Sequence, residues 1–282
     1  MPTYATADGE RLHYDERGRA DPGAPPLIVL AGGAGRHPDY LGDLGGVARR
    51  LVVPHLRGVG RSPMPPDATL ASFWRQADDL EALRAHLGLA RLTLVGHSAG
   101  TRLAMAHAAR FPAAVDRLIL VTPPVEYAFG PLVPVASDVD TLIRKRHGEA
   151  AVEVALRSLR AGPDTRDDAG LDAFNLQTAP LAYAAWGPRE LVHACATGYR
   201  FAANQAFFSV DPPADLPARL GRVTAPVLVV AGAQDTLTGS APVAAVASLF
   251  PYGSAVVIDG AGHHPYVEQP AAFREAVHTF LS

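Results

Sequence analysis

A chain of 282 residues, 48% of them apolar and 19% charged, can bury a full core and suits one large α/β domain with an insertion better than two equal domains. Its formal net charge of -3 gives no electrostatic reason to expect nucleic acid or an anionic membrane as a partner. Cys195 is the only cysteine, so no intrachain disulfide can form and nothing ties the chain to an oxidising compartment.

The opening stretch MPTYATADGERLHYDERG alternates polar and apolar residues and carries several charges, which predicts a hairpin rather than a secretory signal. Short β-prone runs follow at 25–33 (PPLIVLAGG), 49–56 (RRLVVPHL), 92–96 (LTLVG), 116–124 (DRLILVTPP), 225–235 (APVLVVAGAQD) and 254–263 (SAVVIDGAGH). Helical patterns lie between most of them, such as LASFWRQADDLEALRAHLGL at 70–89, and QPAAFREAVHTFLS closes the chain. This alternation implies an α/β fold with a mostly parallel sheet flanked by helices. The rhythm breaks between Pro124 and Pro226, where the amphipathic stretches DVDTLIRKRHGEAAVEVALRSLRAG and PRELVHACATGYRFAANQAFF occur without a buried strand. That interval is far too long for a structureless connection. Residues 125–211 are therefore expected to form an inserted helical cap, or lid, on a core of 1–124 and 212–282. No stretch approaches the ~20 apolar residues of a membrane span, and the simplest reading is a soluble cytoplasmic protein with no membrane partner.

The stretch RLTLVGHSAGTRLAMAHAARFP at 91–112 places Ser98 between a buried strand and a helix, flanked by Gly96 and Gly100. A sharp strand-to-helix turn that lifts a serine hydroxyl out of the sheet brings backbone so close that side chains two residues away would clash. Ser98 is the candidate nucleophile. It needs a histidine to take its proton and a carboxylate to orient that histidine, and on an open α/β sheet these follow later strands. Asp235 ends VLVVAGAQD and His263 ends VVIDGAGH, in the chain order Ser, Asp, His. Glu126 is the alternative acid, Asp259 reads as structural, and His264 competes with His263 but reads as a cap-facing or packing residue. His97 and His55 read as structural. For the oxyanion hole, Ala99 opens the helix after Ser98, and VLAGGAGRHPDYLGDL supplies Gly33, with Gly32 or Ala34 as substitutes. The spacing of a dinucleotide fingerprint is absent from GGAG. No metal cluster of credible spacing is present, so neither a metal nor another cofactor is expected.

With these motifs the chain resembles the α/β-hydrolase superfamily, and within it the proline iminopeptidase-like branch. AGGAGRHPDYLGDL is similar to that branch's HGGPG with its following histidine-aspartate-tyrosine-leucine segment, and HLRGVGRS at 55–62 is similar to DQRG-x-GRS. The resemblance implies an α/β-hydrolase fold with Ser98, Asp235 and His263 as catalytic triad, Gly33 and Ala99 as oxyanion donors, and a cap shaping the pocket. The chain departs from the branch at Ala31 for histidine, Ala34 for proline, His55 for aspartate and Ala99 for a tryptophan that often follows the nucleophile. Aminopeptidases of the family also hold the substrate amine with cap carboxylates, for which Glu126, Asp138, Asp140, Glu149 and Glu153 are candidates.

The expected activity is cleavage of an ester or amide of a small molecule through an acyl-enzyme. The alternatives are an iminopeptidase-like aminopeptidase, a thioester, lactone or carbon-carbon bond hydrolase, and a ligand-binding protein without turnover.

Overall fold

Alternating burial along the N-terminal residues pairs β1 (Thr3–Ala5) with β2 (Arg11–Gly18) antiparallel, Tyr4 opposite Leu12. This is seen in a computed structural model, which describes residues 2–18, 23–127, 130–163 and 166–282. The continuous apolar runs become β3 (Leu27–Leu30), β4 (Arg50–Pro54), β5 (Leu92–His97) and β6 (Val115–Val121). Helices α1 (Ala77–His86) and α2 (Ala99–Arg110) precede and follow β5.

The segment after β6 forms a short antiparallel hairpin of β7 (Glu126–Tyr127) and β8 (Gly130–Pro131). It continues as α3 (Val139–Lys145), α4 (Ala150–Ala161), α5 (Asp168–Thr178), α6 (Pro188–Ala194), α7 (Phe201–Phe207) and α8 (Leu216–Leu220). The chain then returns to the sheet through β9 (Val227–Gly232), α9 (Ala241–Ala245) and β10 (Gly253–Ile258), and ends in α10 (Pro265–Glu268) and α11 (Pro270–Leu281).

Eight strands form one sheet in the order β1-β2-β4-β3-β5-β6-β9-β10, with β1, β2 and β4 paired antiparallel and the remaining neighbours parallel. Successive strand residues point to opposite faces, and the sheet divides its core accordingly. Ile28, Leu30, Val52, Leu94, Leu118, Leu120 and Val229 pack with Leu80 and Leu83 of α1, Leu103 of α2 and Leu220 of α8. Val29, Val53, Val95, Ile119, Val121 and Val230 pack on the other face with Tyr266, Phe273 and Val277. Burial on both faces explains why the central strands read as unbroken apolar runs.

The helix expected over 70–89 is shorter in the structure. Asp67 caps a 3-10 turn at Ala68–Ala71, Ser72 is extended at φ -69° and ψ 148°, the Phe73 amide donates to the carbonyl of Phe207 at 2.9 Å, and regular helix begins only at Ala77. Within the segment between β6 and β9, Val152, Ala155 and Leu156 of α4 bury against Leu181. Arg146 fastens that contact by donating to the carbonyls of Pro180 (2.9 Å) and Tyr183 (2.6 Å) while pairing with Glu149 (2.8 Å). Among the described residues, no helix is long and apolar enough to cross a membrane.

Candidate active site

Ser98 occupies the corner between β5 and α2 with φ 50° and ψ -124°, the mirror image of an extended backbone. Such a conformation costs a non-glycine residue about 1–3 kcal/mol and persists only where its surroundings enforce it. The Ser98 amide donates to the Val121 carbonyl at 2.9 Å, and its carbonyl accepts from the Thr101 hydroxyl at 2.6 Å. A Cβ at Gly100 would lie 2.3 Å from the Leu30 carbonyl oxygen, and one at Gly96 2.8 Å from the Thr101 Cα. Only glycine at both positions lets α2 start this close to β3 and β5.

Ser98 lines a cavity of about 380 Å³ together with Gly33, Arg36, Tyr40, His97, His263 and His264. The opposite wall comes from α5, Tyr183 and residues 194–199. Asp235, fully buried beyond the end of β9, brings Oδ2 to 2.8 Å from His263 Nδ1. The same oxygen accepts from the Thr238 hydroxyl at 2.6 Å, and Oδ1 accepts from the Leu237 amide at 2.9 Å. Burial pushes the Asp235 carboxyl up, but His263 and these donors outweigh it and hold the group below the usual carboxylate range. With Nδ1 committed to Asp235, Nε2 of His263 is the nitrogen left to accept a proton.

The His263 backbone is fixed on both sides. Its amide donates to the Ala182 carbonyl at 2.7 Å, and its carbonyl accepts from the Thr122 hydroxyl at 3.1 Å and from His97 Nε2 at 2.9 Å. His97 Nδ1 lies 2.8 Å from the Tyr40 hydroxyl, which itself accepts the Gly32 amide at 2.6 Å. Burial, then the neighbouring His263, push His97 well below the ordinary histidine value, so its ring is neutral.

The Gly32 amide is therefore committed to Tyr40. The Ala34 carbonyl accepts from Asn204. Gly33, with φ 70°, faces the cavity, and Ala99 opens α2 one residue after Ser98. His264 packs its ring 4.9 Å from those of His97 and Tyr183 and 4.8 Å from that of His193. His55 is buried at 3.2 Å from Asp15 and accepts the Arg61 amide. Asp259 accepts from Gln234 outside the cavity, and Glu126 also lies outside it.

None of Glu126, Asp138, Asp140, Glu149 and Glu153 lines the cavity. The carboxylate that does is Asp172 of α5, whose Oδ1 accepts the Tyr199 amide at 2.7 Å. Asp172, Tyr199 and Arg36 are the site residues that sequence reasoning missed. Their contacts join positions about 27 to 163 residues apart, as between Asp172 and Tyr199 or Arg36 and Tyr199, and the only local signal was the placement of Arg36 and Tyr40 inside the glycine-rich AGGAGRHPDYLGDL.

The family model described as "alpha/beta hydrolase fold" matches residues 25–270, and the chain belongs to that family. A proline iminopeptidase of Heyndrickxia coagulans is 26% identical over 290 residues, covering 95% of this chain and 93% of its own. Among solved structures, the esterase RhEst1 from Rhodococcus sp. ECU1013 superposes with a TM-score of 0.73 at 22% identity, covering 99% of this chain and 98% of that one. The proline iminopeptidase of Mycobacterium smegmatis does so with a TM-score of 0.72 at 23% identity, covering 99% and 97%. At these identities the two structures show the shared fold.

Proposed function

We propose that the protein is a cofactor-free serine hydrolase that cleaves an ester or amide of a small molecule through an acyl-enzyme. The observation that carries this reading is the strained Ser98 opening into the same cavity as His263, whose Nδ1 is held 2.8 Å from the buried Asp235. Ser98 Oγ attacks the substrate carbonyl as His263 Nε2 takes its proton, and Asp235 stabilises the imidazolium. The proton passes to the departing alcohol or amine as its bond to the acyl carbon breaks. A water, deprotonated by the same nitrogen, then displaces Ser98 and releases the acid. Gly33 and Ala99 donate their amides to the oxyanion, a reading supported by the commitment of Gly32 to Tyr40. Residues 125–211 act as the cap that shapes the pocket.

A fluorophosphonate is expected to label the wild type, and Ser98→Ala to abolish labelling and lower turnover by several orders of magnitude. Undiminished turnover in Ser98→Ala overturns the assignment. Labelling with no turnover on a broad ester and amide panel favours the ligand-binding alternative.

An aminopeptidase is the second reading, supported by the similarity to a proline iminopeptidase and by Asp172 in the cavity wall. An α-ammonium needs a carboxylate partner when buried. Efficient turnover of proline and alanine aryl amides only with a free amine, lost in Asp172→Asn, would establish it.

A further inference from the structure

Three arginines are buried among the described residues: Arg57, Arg146 and Arg36, at 4%, 6% and 6% exposure. Two of them have their counter-charge inside the protein. Arg57 grips Asp79 with Nε and Nη2, both at 2.7 Å, and Asp8 with Nη1 at 2.7 Å. Arg146 pairs with Glu149. Arg36, the one that lines the catalytic cavity, has no carboxylate within ion-pair distance among the described residues.

What surrounds Arg36 is neutral. Its Nε donates to the Thr197 hydroxyl and Nη2 to the carbonyls of His193 and Ala194, all at 3.1 Å. Its guanidinium lies 4.1 Å above the Tyr40 ring and 5.6 Å from that of Tyr199. Burial and the guanidinium itself keep His193 unprotonated, its value lowered to about 4. The strap to His193, Ala194 and Thr197 occupies Nε and Nη2. These contacts, the stack on Tyr40 and the Tyr199 hydroxyl satisfy donors and favour a cation but supply no counter-charge, and a buried cation without an anion is costly. Asp172 does not supply the anion. It stands where the cavity meets an outer groove lined by His37, Arg61 and Arg200, and its Oδ1 already holds the Tyr199 amide.

We propose that Arg36 is the anion-recognition group of this cavity, and that the preferred substrates are esters or amides carrying a carboxylate that pairs with its guanidinium. The planar fork matches a carboxylate, and the neighbouring rings of the buried Tyr40 and half-buried Tyr199 lower the local polarity, which strengthens the pair. This deepens the serine hydrolase reading and rests on it for the words ester and amide. The anion site itself does not depend on turnover. The pairing also disfavours a substrate whose charge near Arg36 is an ammonium.

The test compares mono-4-nitrophenyl glutarate with 4-nitrophenyl valerate, which differ by an acyl-side carboxylate, and 4-acetoxybenzoate with phenyl acetate, which differ by one on the leaving side. Wild type is expected to favour the charged member of at least one pair by ~10-fold or more in kcat/KM, carried mainly by KM. Arg36→Gln should bring that ratio to about one and Arg36→Lys should retain part of it, a pattern that general unfolding of the loop does not produce.

Glutarate binding to the Ser98→Ala protein, followed by calorimetry, supplies a readout free of catalysis, and adding Arg36→Gln should weaken it by ~10-fold or more. Ratios near one for both pairs in the wild type, or glutarate binding indifferent to Arg36→Gln, overturn the proposal. Absence of fluorophosphonate labelling together with Arg36-dependent glutarate binding would overturn the hydrolase reading while leaving the anion site standing.

Discussion

His97 Nε2 donates to the backbone carbonyl of His263 at 2.9 Å, so the residue before the proposed nucleophile holds the proposed base in place. The tautomer follows from the chain of donors. The Gly32 amide occupies the Tyr40 oxygen, the Tyr40 proton points to His97 Nδ1, and Nε2 must carry the hydrogen. One buried relay thereby ties the glycine-rich loop after β3 to the loop that presents His263.

Tyr40→Phe removes the hydroxyl in the middle of that relay and leaves the Gly32 amide and His97 Nδ1 without partners. The expected cost is about 1–3 kcal/mol in urea unfolding, with kcat lowered because both loops frame the reacting carbonyl. A variant as stable and as active as the wild type would show that the relay has no such role.

Ser98→Gly separates strain from chemistry. Glycine adopts φ 50° and ψ -124° freely, whereas serine does so at a cost. The variant should lose turnover yet match or exceed wild-type stability by up to ~1 kcal/mol, the gain limited by the greater freedom of glycine in the unfolded chain. A clear loss of stability would place the corner's strain elsewhere.

Arg57 belongs to HLRGVGRS, and its bonds to Asp8 and Asp79 join the turn after β1, the loop after β4 and helix α1. Arg57→Ala leaves Asp79, only 5% exposed, buried without its partner. A loss of about 3–5 kcal/mol is expected, read as a lower midpoint in urea. Loss of activity with wild-type stability would mean that the motif serves the site rather than the scaffold.

Glu81 gives a pH signature. His107 at 2.8 Å, with Arg84, holds its carboxyl down to about 2 from an ordinary 4.5. A folded value below the unfolded one means that this stabilisation is complete above pH ~4.5 and is lost as pH falls through ~2. Glu81→Gln should therefore be less stable than wild type at pH 7, with the gap closing between pH 4.5 and 2. A gap independent of pH would assign the loss to packing.

The parallel sheet was legible because burial on both faces leaves little room for polar residues in Leu27–Leu30 or Val227–Gly232. The Ser98 corner was legible for a local reason, since its tight turn demands glycine at fixed offsets. Helix α1 was overextended in the sequence reading, since periodicity does not record the extended Ser72 or the tertiary pairing of the Phe73 amide with Phe207. Arg36 escaped notice for the same reason in stronger form. Its meaning lies in the absence of an acid across a cavity wall built more than 150 residues later in the chain, as its bond to Thr197 shows. His97 looked structural, and its packing is indeed that of a buried histidine; what the sequence did not carry was the identity of the carbonyl it holds.

The bond from the His263 amide to the Ala182 carbonyl, 2.7 Å long, constrains traffic through the cavity. Ala182 belongs to the same short turn whose Pro180 and Leu181 carbonyls accept from Arg146 and Thr236. Swinging that turn outward to admit a ligand would withdraw an anchor from the imidazole of the proposed base at the moment of binding. Among the described residues, the flank of residues 194–199 makes no hydrogen bond to the histidine loop, whereas α5 runs directly into the turn at Ala179–Ala182. Entry past residues 194–199 would therefore leave the bond from His263 to Ala182 unbroken.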